Sequence, residues 1–190
     1  ASRGCCTARI TTIAETIAWY RARSTPLIFW FIDEEATPGD LAERLQAQGC
    51  IPFEVDAPCM VADLQQLDPD LLNRVPAGFH LEQVSDAAGL HAFHQGFTDA
   101  YQLPDWAGKS WEDATTDLGI SGAPWSMYVG RLDERPVAIN ILMLGGGVAG
   151  VFGVGTVAEY RGRGIGAAIT LQPLLDARDA GMRYGALFSS

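Results

Sequence analysis

The chain has 190 residues, of which 48% are hydrophobic, with 23 acidic against 13 basic side chains. This length suits one full-sized domain with its own core, or one domain and a smaller appendage. The net charge of −10 argues against a nucleic-acid surface, which needs clustered Lys and Arg, and the apolar runs are too short to cross a bilayer. We therefore expect a soluble protein of the cytoplasm with neither a nucleic-acid nor a membrane partner.

The first section of the chain, residues 1–66, alternates helical and strand patterns. Residues 11–23 repeat apolar side chains every three or four positions, which predicts a helix, and residues 26–33 form an apolar run typical of a buried strand. A second helix is predicted over residues 37–50, with Gly49 where a helix C-terminus favours glycine. One or two short strands follow it.

A stretch with two prolines, residues 67–78, is predicted to be a linker to the main domain, residues 79–190. The main domain begins with a strand and two helices, the first of them capped by Ser85 or Asp86. Three strands joined by short turns come next and predict an antiparallel meander, because short turns connect neighbouring antiparallel strands. A glycine-rich loop, a helix and a last strand complete the pattern.

The glycine-rich loop reads EYRGRGIGAA and lies directly before the helix. Gly162, Gly164 and Gly166 leave the backbone uncrowded, so successive N–H groups can converge on one ligand while the helix adds the positive end of its dipole. Such a site suits an anion. Arg161 and Arg163 add side-chain charge, which indicates a diphosphate or polyphosphate. The simpler interpretation is that the glycines only permit a tight turn.

Two other nucleotide-binding motifs fit this loop less well. A Walker A loop requires a Lys after its last glycine, and no Lys lies near. A dinucleotide fingerprint is loosely matched by Gly162, Gly164 and Ala167, but it opens a parallel βαβ unit and needs an acidic residue at the end of the next strand. Here the next strand ends LFSS and the preceding strand belongs to the meander, so a nicotinamide-binding protein is the weaker alternative.

The segment VGTVAEYRGRGIGAA resembles the acetyl-CoA-binding motif of the GNAT acetyltransferase superfamily, Q/R-x-x-G-x-G/A, with Arg161, Gly164 and Gly166 at the defining positions. The order of elements in residues 79–190 is also that family's order. The resemblance implies an α/β fold of the α+β kind, with a mixed, mostly antiparallel sheet flanked by helices. It also implies transfer of an acetyl group from the cosubstrate acetyl-CoA to a primary amine of a small molecule or peptide.

The resemblance further implies which residues hold the coenzyme. The pyrophosphate would lie on the loop and the pantetheine along the preceding strand, on these residues: Val154, Gly155, Thr156, Arg161, Gly162, Arg163, Gly164, Ile165, Gly166 and Ala167. The sequence itself supports the position of the pantetheine along this strand. Gly153 and Gly155 are placed for a β-bulge, which would separate this strand from the next and free its main-chain groups.

The chain departs from the family's pattern in two places. Pro173 falls inside the helix after the loop and removes a backbone hydrogen bond, which predicts a kink near residues 169–173. The sequence also ends after the last strand, where relatives continue with a helix and two strands. Because the first section resembles that half of the family's fold, we expect a degenerate half-domain before a truncated domain. The alternative is that the first section completes the sheet.

No catalytic residue is assigned from the sequence. Acyl transfer needs a base for the ammonium proton and an acid for the sulfur, and the strand before the loop carries no carboxylate. Asp99, Glu112 and Asp113 lie in the region that walls the acceptor pocket in the family, but solvated surface explains them better. Tyr160 and Tyr184 are candidate acids on position alone. A non-catalytic acyl-CoA-binding module is therefore the alternative function.

Metal chemistry finds little support in the sequence. His91 and His94 lie three residues apart on a predicted helix, a spacing that can serve a metal, but no third ligand is evident. The cysteines have no C-x-x-C pair and favour free thiols in a reducing compartment: Cys5, Cys6, Cys50 and Cys59. We therefore expect no metal.

Aromatic side chains are concentrated in the two helices before the meander: Phe97, Tyr101, Trp106 and Trp111. Core packing accounts for them without further assumption. As the lining of an acceptor pocket they would suit an apolar or aromatic amine, whereas the acidic surface would favour a cationic one. For protein partners, the prediction is a homodimer formed with a second copy of the chain.

Overall fold

The computed structural model describes residues 12–22, 30, 32, 36–52, 58–120 and 125–188 of the chain. It divides the chain into two compact units, Ala1–Val55 and Asp56–Ser190. Within the described ranges, no helix combines the length and the apolar character that a membrane span requires.

The described part of the first unit contains two short helices, both of which the sequence predicts. α1 (Ile13–Arg21) begins at Thr12, whose hydroxyl accepts a hydrogen bond from the Glu15 N–H at 3.1 Å. α2 (Leu41–Ala47) is followed by Gly49, which has a φ of +87° and so takes the left-handed conformation that glycine favours after a helix. Of the strand predicted over residues 26–33, only residues 30 and 32 are described.

The second unit is built on a six-stranded sheet with the strand order β1-β6-β5-β4-β3-β2. The strands are β1 (Cys59–Asp63), β2 (Phe79–Gln83), β3 (Ser126–Leu132), β4 (Arg135–Gly145), β5 (Val148–Thr156) and β6 (Tyr184–Phe188). All neighbouring pairs are antiparallel except β5 and β6, which are parallel. The predicted meander, β3 to β5, and the mixed, mostly antiparallel sheet are therefore confirmed.

The sheet is completed by a strand from before the predicted linker. β1 pairs with β6 along its whole length, with Cys59 opposite Phe188 and Asp63 opposite Tyr184. The segment predicted as a linker contains a 3-10 helix, Pro69–Arg74, that packs against the helix after the glycine loop. The interpretation of the first section as a degenerate half-domain stays a prediction, with the boundary between the two units at residue 55.

Helices cover both faces of the sheet. The helices of this unit are α3 (Ala87–Tyr101), α4 (Asp105–Leu118) and α5 (Ile165–Asp179). On one face, Phe93 of α3 packs with Val129 and Ile139, and α4 packs on α3. On the other face, Ile169 of α5 packs with Val137. β3 and β4 contribute residues to both apolar clusters, because successive side chains of a strand point to opposite faces of the sheet.

The proline inside α5 is compensated by a buried side chain. α5 continues through Pro173, which has no N–H to donate to the carbonyl of Ile169 one turn earlier. The side-chain amide of Asn140, a fully buried residue of β4, donates to that carbonyl at 2.8 Å instead. The helix therefore keeps its hydrogen bonding at the proline, and the predicted kink stays a prediction.

A β-bulge interrupts the pairing of β4 with β5. The register shifts between Ile139 and Ile141, and Gly153 on the opposite strand has a φ of +56°. The predicted bulge is therefore confirmed. β5 pairs with β6 only over Val148–Val151, so residues 152–156 have β4 as their one partner strand in the described sheet. This part of β5 offers main-chain groups along one edge.

Candidate functional site

The glycine-rich loop connects β5 to α5 and has a tightly constrained backbone. Gly162 and Gly164 have φ angles of +73° and +80°, a backbone region that residues other than glycine rarely adopt. A Cβ added at Gly164 would also overlap the carbonyl oxygen of Arg74. The loop conformation therefore requires glycine at 164 for two independent reasons.

The backbone N–H groups of residues 162–167 point to no acceptor in the part of the chain that the structure describes. The first intrahelical bond of α5 is made by the N–H of Ala168, which donates to the Gly164 carbonyl at 3.0 Å. The N–H of Arg161 is already used, because it donates to Ala158 at 3.3 Å. Consecutive free donors at a helix N-terminus form a site for an anion.

The two arginines of the loop have different environments. Arg161 is held by main-chain carbonyls, with its Nε donating to Thr156 at 2.9 Å and its Nη2 to Ala100 at 3.3 Å. Arg161 therefore fastens the loop to the ends of β5 and α3. Arg163 is exposed, stacks over the Tyr160 ring at 5.5 Å and has no carboxylate partner among the described residues. Its charge is available to a ligand.

The C-terminal end of α3 lies directly beside the bulged part of β5. The Tyr101 hydroxyl donates to the Val154 carbonyl at 3.1 Å. A Cβ added at Gly155 would come within 2.8 Å of the Ala100 Cβ, so glycine at 155 permits this close approach. At the end of the same strand, the Thr156 hydroxyl lies 3.4 Å from where a Gly166 Cβ would be. Five of the predicted coenzyme residues thus lie at one end of β5: Val154, Gly155, Thr156, Arg161 and Gly166.

Tyr101 is a functional candidate that the sequence reasoning placed only in a pocket wall or in the core. Burial raises the pKa of its hydroxyl, although 43% of the residue's surface remains exposed. Its position became visible only with the fold, because the contact with Val154 joins residues far apart in the chain. The aromatic neighbour Phe97 packs against both Tyr101 and Trp111, at centroid distances of 5.3 and 6.5 Å.

Three further candidates from the sequence, Tyr184, Asp99 and Asp113, lie away from the bulge or are paired. Tyr160 lies beside Arg135 and Arg163. Tyr184 lies opposite Val148, at the far end of β5 from the glycine loop. Asp113 forms an exposed pair with Lys109 at 3.0 Å, and Asp99 lies 3.9 Å from Arg135. None of these carboxylates contacts β5 among the described side-chain contacts, so the base remains unassigned.

Glu112 contacts both of the histidines singled out in the sequence. Its carboxylate lies 2.7 Å from Nδ1 of His94 and 3.7 Å from Nδ1 of His91. Asp105 lies 2.9 Å from the other ring nitrogen of His94. The fold therefore supplies the third group that sequence spacing could not identify. We refer to His91, His94, Asp105 and Glu112 as the histidine cluster.

The sheet order, the bulge and the glycine loop together define the chain as a GNAT-type domain. The family model described as "Acetyltransferase (GNAT) domain" matches residues 42–187, which is most of the chain. The chain therefore belongs to the GNAT acetyltransferase family. No significant match was found among curated proteins.

Solved structures show the same fold. The chain is similar to a GCN5-related N-acetyltransferase from Kribbella flavida, with 24% identity, a TM-score of 0.55, and 82% of this chain and 55% of that one covered. A second relative is a GCN5-related N-acetyltransferase from Sphaerobacter thermophilus, with 21% identity, a TM-score of 0.58, and coverage of 77% and 46%. The chain thus spans about half the length of these two proteins.

A third solved structure is a GCN5-related glucosamine N-acetyltransferase region within a fungal multi-domain GH3 β-N-acetylglucosaminidase. It has 14% identity and a TM-score of 0.60, and the match covers 93% of this chain and 24% of that one. At these identities, the likeness is evidence of the fold alone.

Proposed function

We propose that this chain binds an acyl-CoA, with acetyl-CoA as the reference cosubstrate, and transfers the acyl group to an amine. The observation that carries the proposal is the run of unpartnered N–H groups at residues 162–167, set at the N-terminus of α5. Such donors suit the charge of a diphosphate, and the helix dipole has the matching sign. Membership of the acetyltransferase family supports the choice of coenzyme A over other diphosphates.

The proposed coenzyme path runs from the loop along the edge of β5. Gly162, Arg163, Gly164, Ile165, Gly166 and Ala167 would contact the pyrophosphate, and Val154, Gly155 and Thr156 the pantetheine amides. Residues 152–156 suit this role because the bulge and the absence of pairing with β6 in the described sheet leave main-chain groups along that edge. The Val154 and Thr156 carbonyls are exceptions, since they already accept from Tyr101 and Arg161. Arg161 would act indirectly by holding the loop against Thr156 and Ala100.

The proposed chemistry is direct transfer, for which the thioester supplies the acyl group. The amine nitrogen bonds to the carbonyl carbon, the carbon–sulfur bond breaks, and the sulfur takes up a proton. We propose Tyr101 as the proton donor, because its hydroxyl already lies at the bulge and a phenol carries its proton at neutral pH. The amine's surplus proton leaves through water to solvent, from which Tyr101 is reprotonated. The acceptor is an amine of a small molecule or peptide.

Calorimetric titration of coenzyme A into the purified chain tests the binding site. Arg163→Glu and Lys109→Glu form a matched pair, since both reverse one charge at an exposed residue and only Arg163 lies in the loop. We expect Arg163→Glu to weaken coenzyme binding by about tenfold or more, which corresponds to about 1.4 kcal/mol. Lys109→Glu should stay within about twofold of the unmodified chain, because screening limits effects at a distance.

A second substitution tests the backbone donors. Gly166→Val adds a branched side chain on the loop, where only the Thr156 hydroxyl lies within 4 Å of a new Cβ. We expect coenzyme affinity to fall more than in Arg163→Glu while the far-UV circular dichroism is unchanged. A well-folded chain that gives no heat with coenzyme A, or equal weakening by Lys109→Glu, would rule the site out.

Thiol release from acetyl-CoA, measured across a panel of amines, separates the enzyme from a non-catalytic acyl-CoA-binding module. The absence of any carboxylate on β5 favours this second candidate. Tyr101→Phe should lower kcat by about tenfold or more and leave the Kd for coenzyme A unchanged, as removal of a general acid does. Tyr128→Phe is the control, because its hydroxyl contacts Asp176 instead of β5. Tight binding without thiol release for any amine would favour the module.

A further inference from the structure

The histidine cluster joins two helices that are adjacent along the chain. His91 and His94 belong to α3, whereas Asp105 and Glu112 belong to α4. The potential ligand atoms of His91, His94 and Glu112 all lie within 4.8 Å of one another. Asp105 and Glu112 are two helical turns apart on one face of α4, and the His94 ring lies between their carboxylates.

His94 is the central group of the cluster and is almost inaccessible to water. Only 7% of its side-chain surface is exposed. Its Nε2 lies 2.9 Å from the Asp105 carboxylate and its Nδ1 lies 2.7 Å from that of Glu112. The 2.7 Å contact between Nδ1 and Glu112 is a hydrogen bond, and a metal ion at Nδ1 would replace its proton. Asp105 would still accept from Nε2, which is the arrangement found behind metal-bound histidines.

His91 is oriented toward the same carboxylate. Its Nδ1 lies 3.7 Å from Glu112, and its Nε2 lies 3.2 Å from the side-chain amide of Gln95. The contact with Gln95 leaves Nδ1 directed at the cluster. With 57% of its side chain exposed, His91 has room to move the short distance that metal coordination requires.

We propose that His91, His94 and Glu112 bind a divalent transition metal, with Zn²⁺ as the reference ion and Asp105 as the carboxylate that orients His94. Two imidazoles and one carboxylate match the ligands that zinc takes in proteins, and leave a fourth position for water. The two nitrogen ligands disfavour Mg²⁺ and Ca²⁺, which bind oxygen atoms. The site is separate from the proposed coenzyme residues, none of which belongs to it.

The competing explanation is a network without metal, in which a protonated His94 bridges the two carboxylates. The two explanations differ in what they predict for Asp105. A supporting carboxylate changes metal affinity when it is replaced, whereas a metal-free bridge gives no metal binding to change. They also differ in the response to added metal, because an ion that binds only the folded chain stabilises it in proportion to the logarithm of its concentration.

Titration of Zn²⁺ into the chelator-treated full chain tests the site. The thiols are alkylated first, because Cys50 and Cys59 are free and are alternative zinc ligands. We expect one equivalent of Zn²⁺ to bind and to raise the melting temperature. His91→Gln and Glu112→Gln should each weaken binding at least tenfold, and Asp105→Asn should weaken it by about 10- to 100-fold. His80→Gln is the matched control, since His80 is an exposed residue of β2 outside the cluster.

Co²⁺ provides a second measurement, because its visible absorption reports coordination geometry and ligand type. A tetrahedral spectrum without thiolate bands in the alkylated chain, lost in Glu112→Gln and kept in His80→Gln, supports the site. Absence of saturable Zn²⁺ binding, or binding that survives both His91→Gln and Glu112→Gln with circular dichroism unchanged, overturns it. Neither titration contains coenzyme A, so these outcomes are independent of the proposed acyl transfer.

Discussion

The glycine-rich loop and the histidine cluster are built in opposite ways. The loop consists of consecutive residues, and its chemistry comes from backbone N–H groups that every residue except proline carries. The cluster consists of side chains from two helices, and its chemistry depends on where those helices cross. A site made of backbone groups can therefore be recognised in the sequence from its glycines. A site made of side chains from separate helices leaves almost no recognisable pattern in the sequence.

Glycine has a different task in each region. In the loop, Gly164 supplies a left-handed conformation and clearance from the Arg74 carbonyl. Between the helices, Gly108 supplies clearance alone, because a Cβ there would overlap Cδ2 of His94 and come within 2.8 Å of the Thr98 methyl group. Substitutions at these glycines and at their neighbours test this difference.

Gly164→Ala should lower the free energy of unfolding by about 3 kcal/mol, because backbone strain and overpacking add at this position. Gly162→Ala is the control: its φ of +73° is also left-handed, but nothing lies within 4 Å of the added Cβ. The control should cost about 1 kcal/mol, the penalty of the conformation alone. Urea denaturation measures both values, and equal losses would show that the contact with Arg74 is unimportant.

Gly108→Ala should cost about 2 kcal/mol, because overpacking against His94 outweighs the better helix propensity of alanine. It should also abolish metal binding at the histidine cluster while coenzyme A still binds. Gly89→Ala on α3 is the matched control, since its added Cβ meets neighbours only at 3.4 Å or more. The control should be neutral or stabilising by up to about 1 kcal/mol. A stabilising Gly108→Ala would contradict the close helix crossing.

At Asn140 and Pro173, a side chain and the backbone act together, because the Asn140 side chain donates to a backbone carbonyl that the proline leaves without its usual donor. Asn140→Ala should cost about 2 kcal/mol by leaving the buried Ile169 carbonyl without a donor. Pro173→Ala restores a backbone N–H one turn later. Its stabilising effect should therefore be about 1 kcal/mol larger in the Asn140→Ala background than in the unmodified chain. Additive effects in this double-mutant cycle would mean that the two donors do not share the carbonyl.

The smallest effect is expected at Tyr128, which belongs to neither region. Its hydroxyl donates to Asp176 at 2.9 Å, and burial together with that carboxylate raises its pKa. The folded chain thus keeps this proton to a higher pH than the unfolded chain, whose tyrosines titrate near about pH 10. The stabilisation is complete below that pH and is lost as the pH rises through the folded-state pKa.

Tyr128→Phe should therefore cost about 1 kcal/mol at neutral pH and progressively less above about pH 10. Urea denaturation of both chains across this range measures the difference. A constant difference at all pH values would show that the tyrosine proton is not linked to folding.

The features that were predicted correctly from the sequence depend on residues close together along the chain. The helix periods, the short turns of the meander and the glycine spacing of the loop are local features, and the structure contains each of them. The bulge was also predictable, because Gly153 and Gly155 lie two residues apart in an otherwise regular strand. These elements and the family's motif were enough to predict the fold class.

The features that could not be predicted from the sequence depend on contacts between segments far apart along the chain. The sequence placed Glu112 only in the region that walls the family's acceptor pocket, with solvated surface as the better explanation. Its place beside two histidines follows from the crossing of α3 and α4. The side chain of Arg161 was expected to face a phosphate, but it donates to carbonyls of Thr156 and Ala100. Hydrogen bonds of this kind leave no periodic signal, because any residue can supply a carbonyl.

The position of β6 between β1 and β5 has a consequence for how the second unit is assembled. Among the described strands β6 comes last along the chain, yet both β1 and β5 pair with it. During synthesis, β1 would leave the ribosome long before β6 is made, so the main-chain groups that pair with β6 would stay unpaired until then. Such a long-range closure is slow. The synthesis of β6 therefore determines when the edges of β1 and β5 are paired and protected from association with other chains.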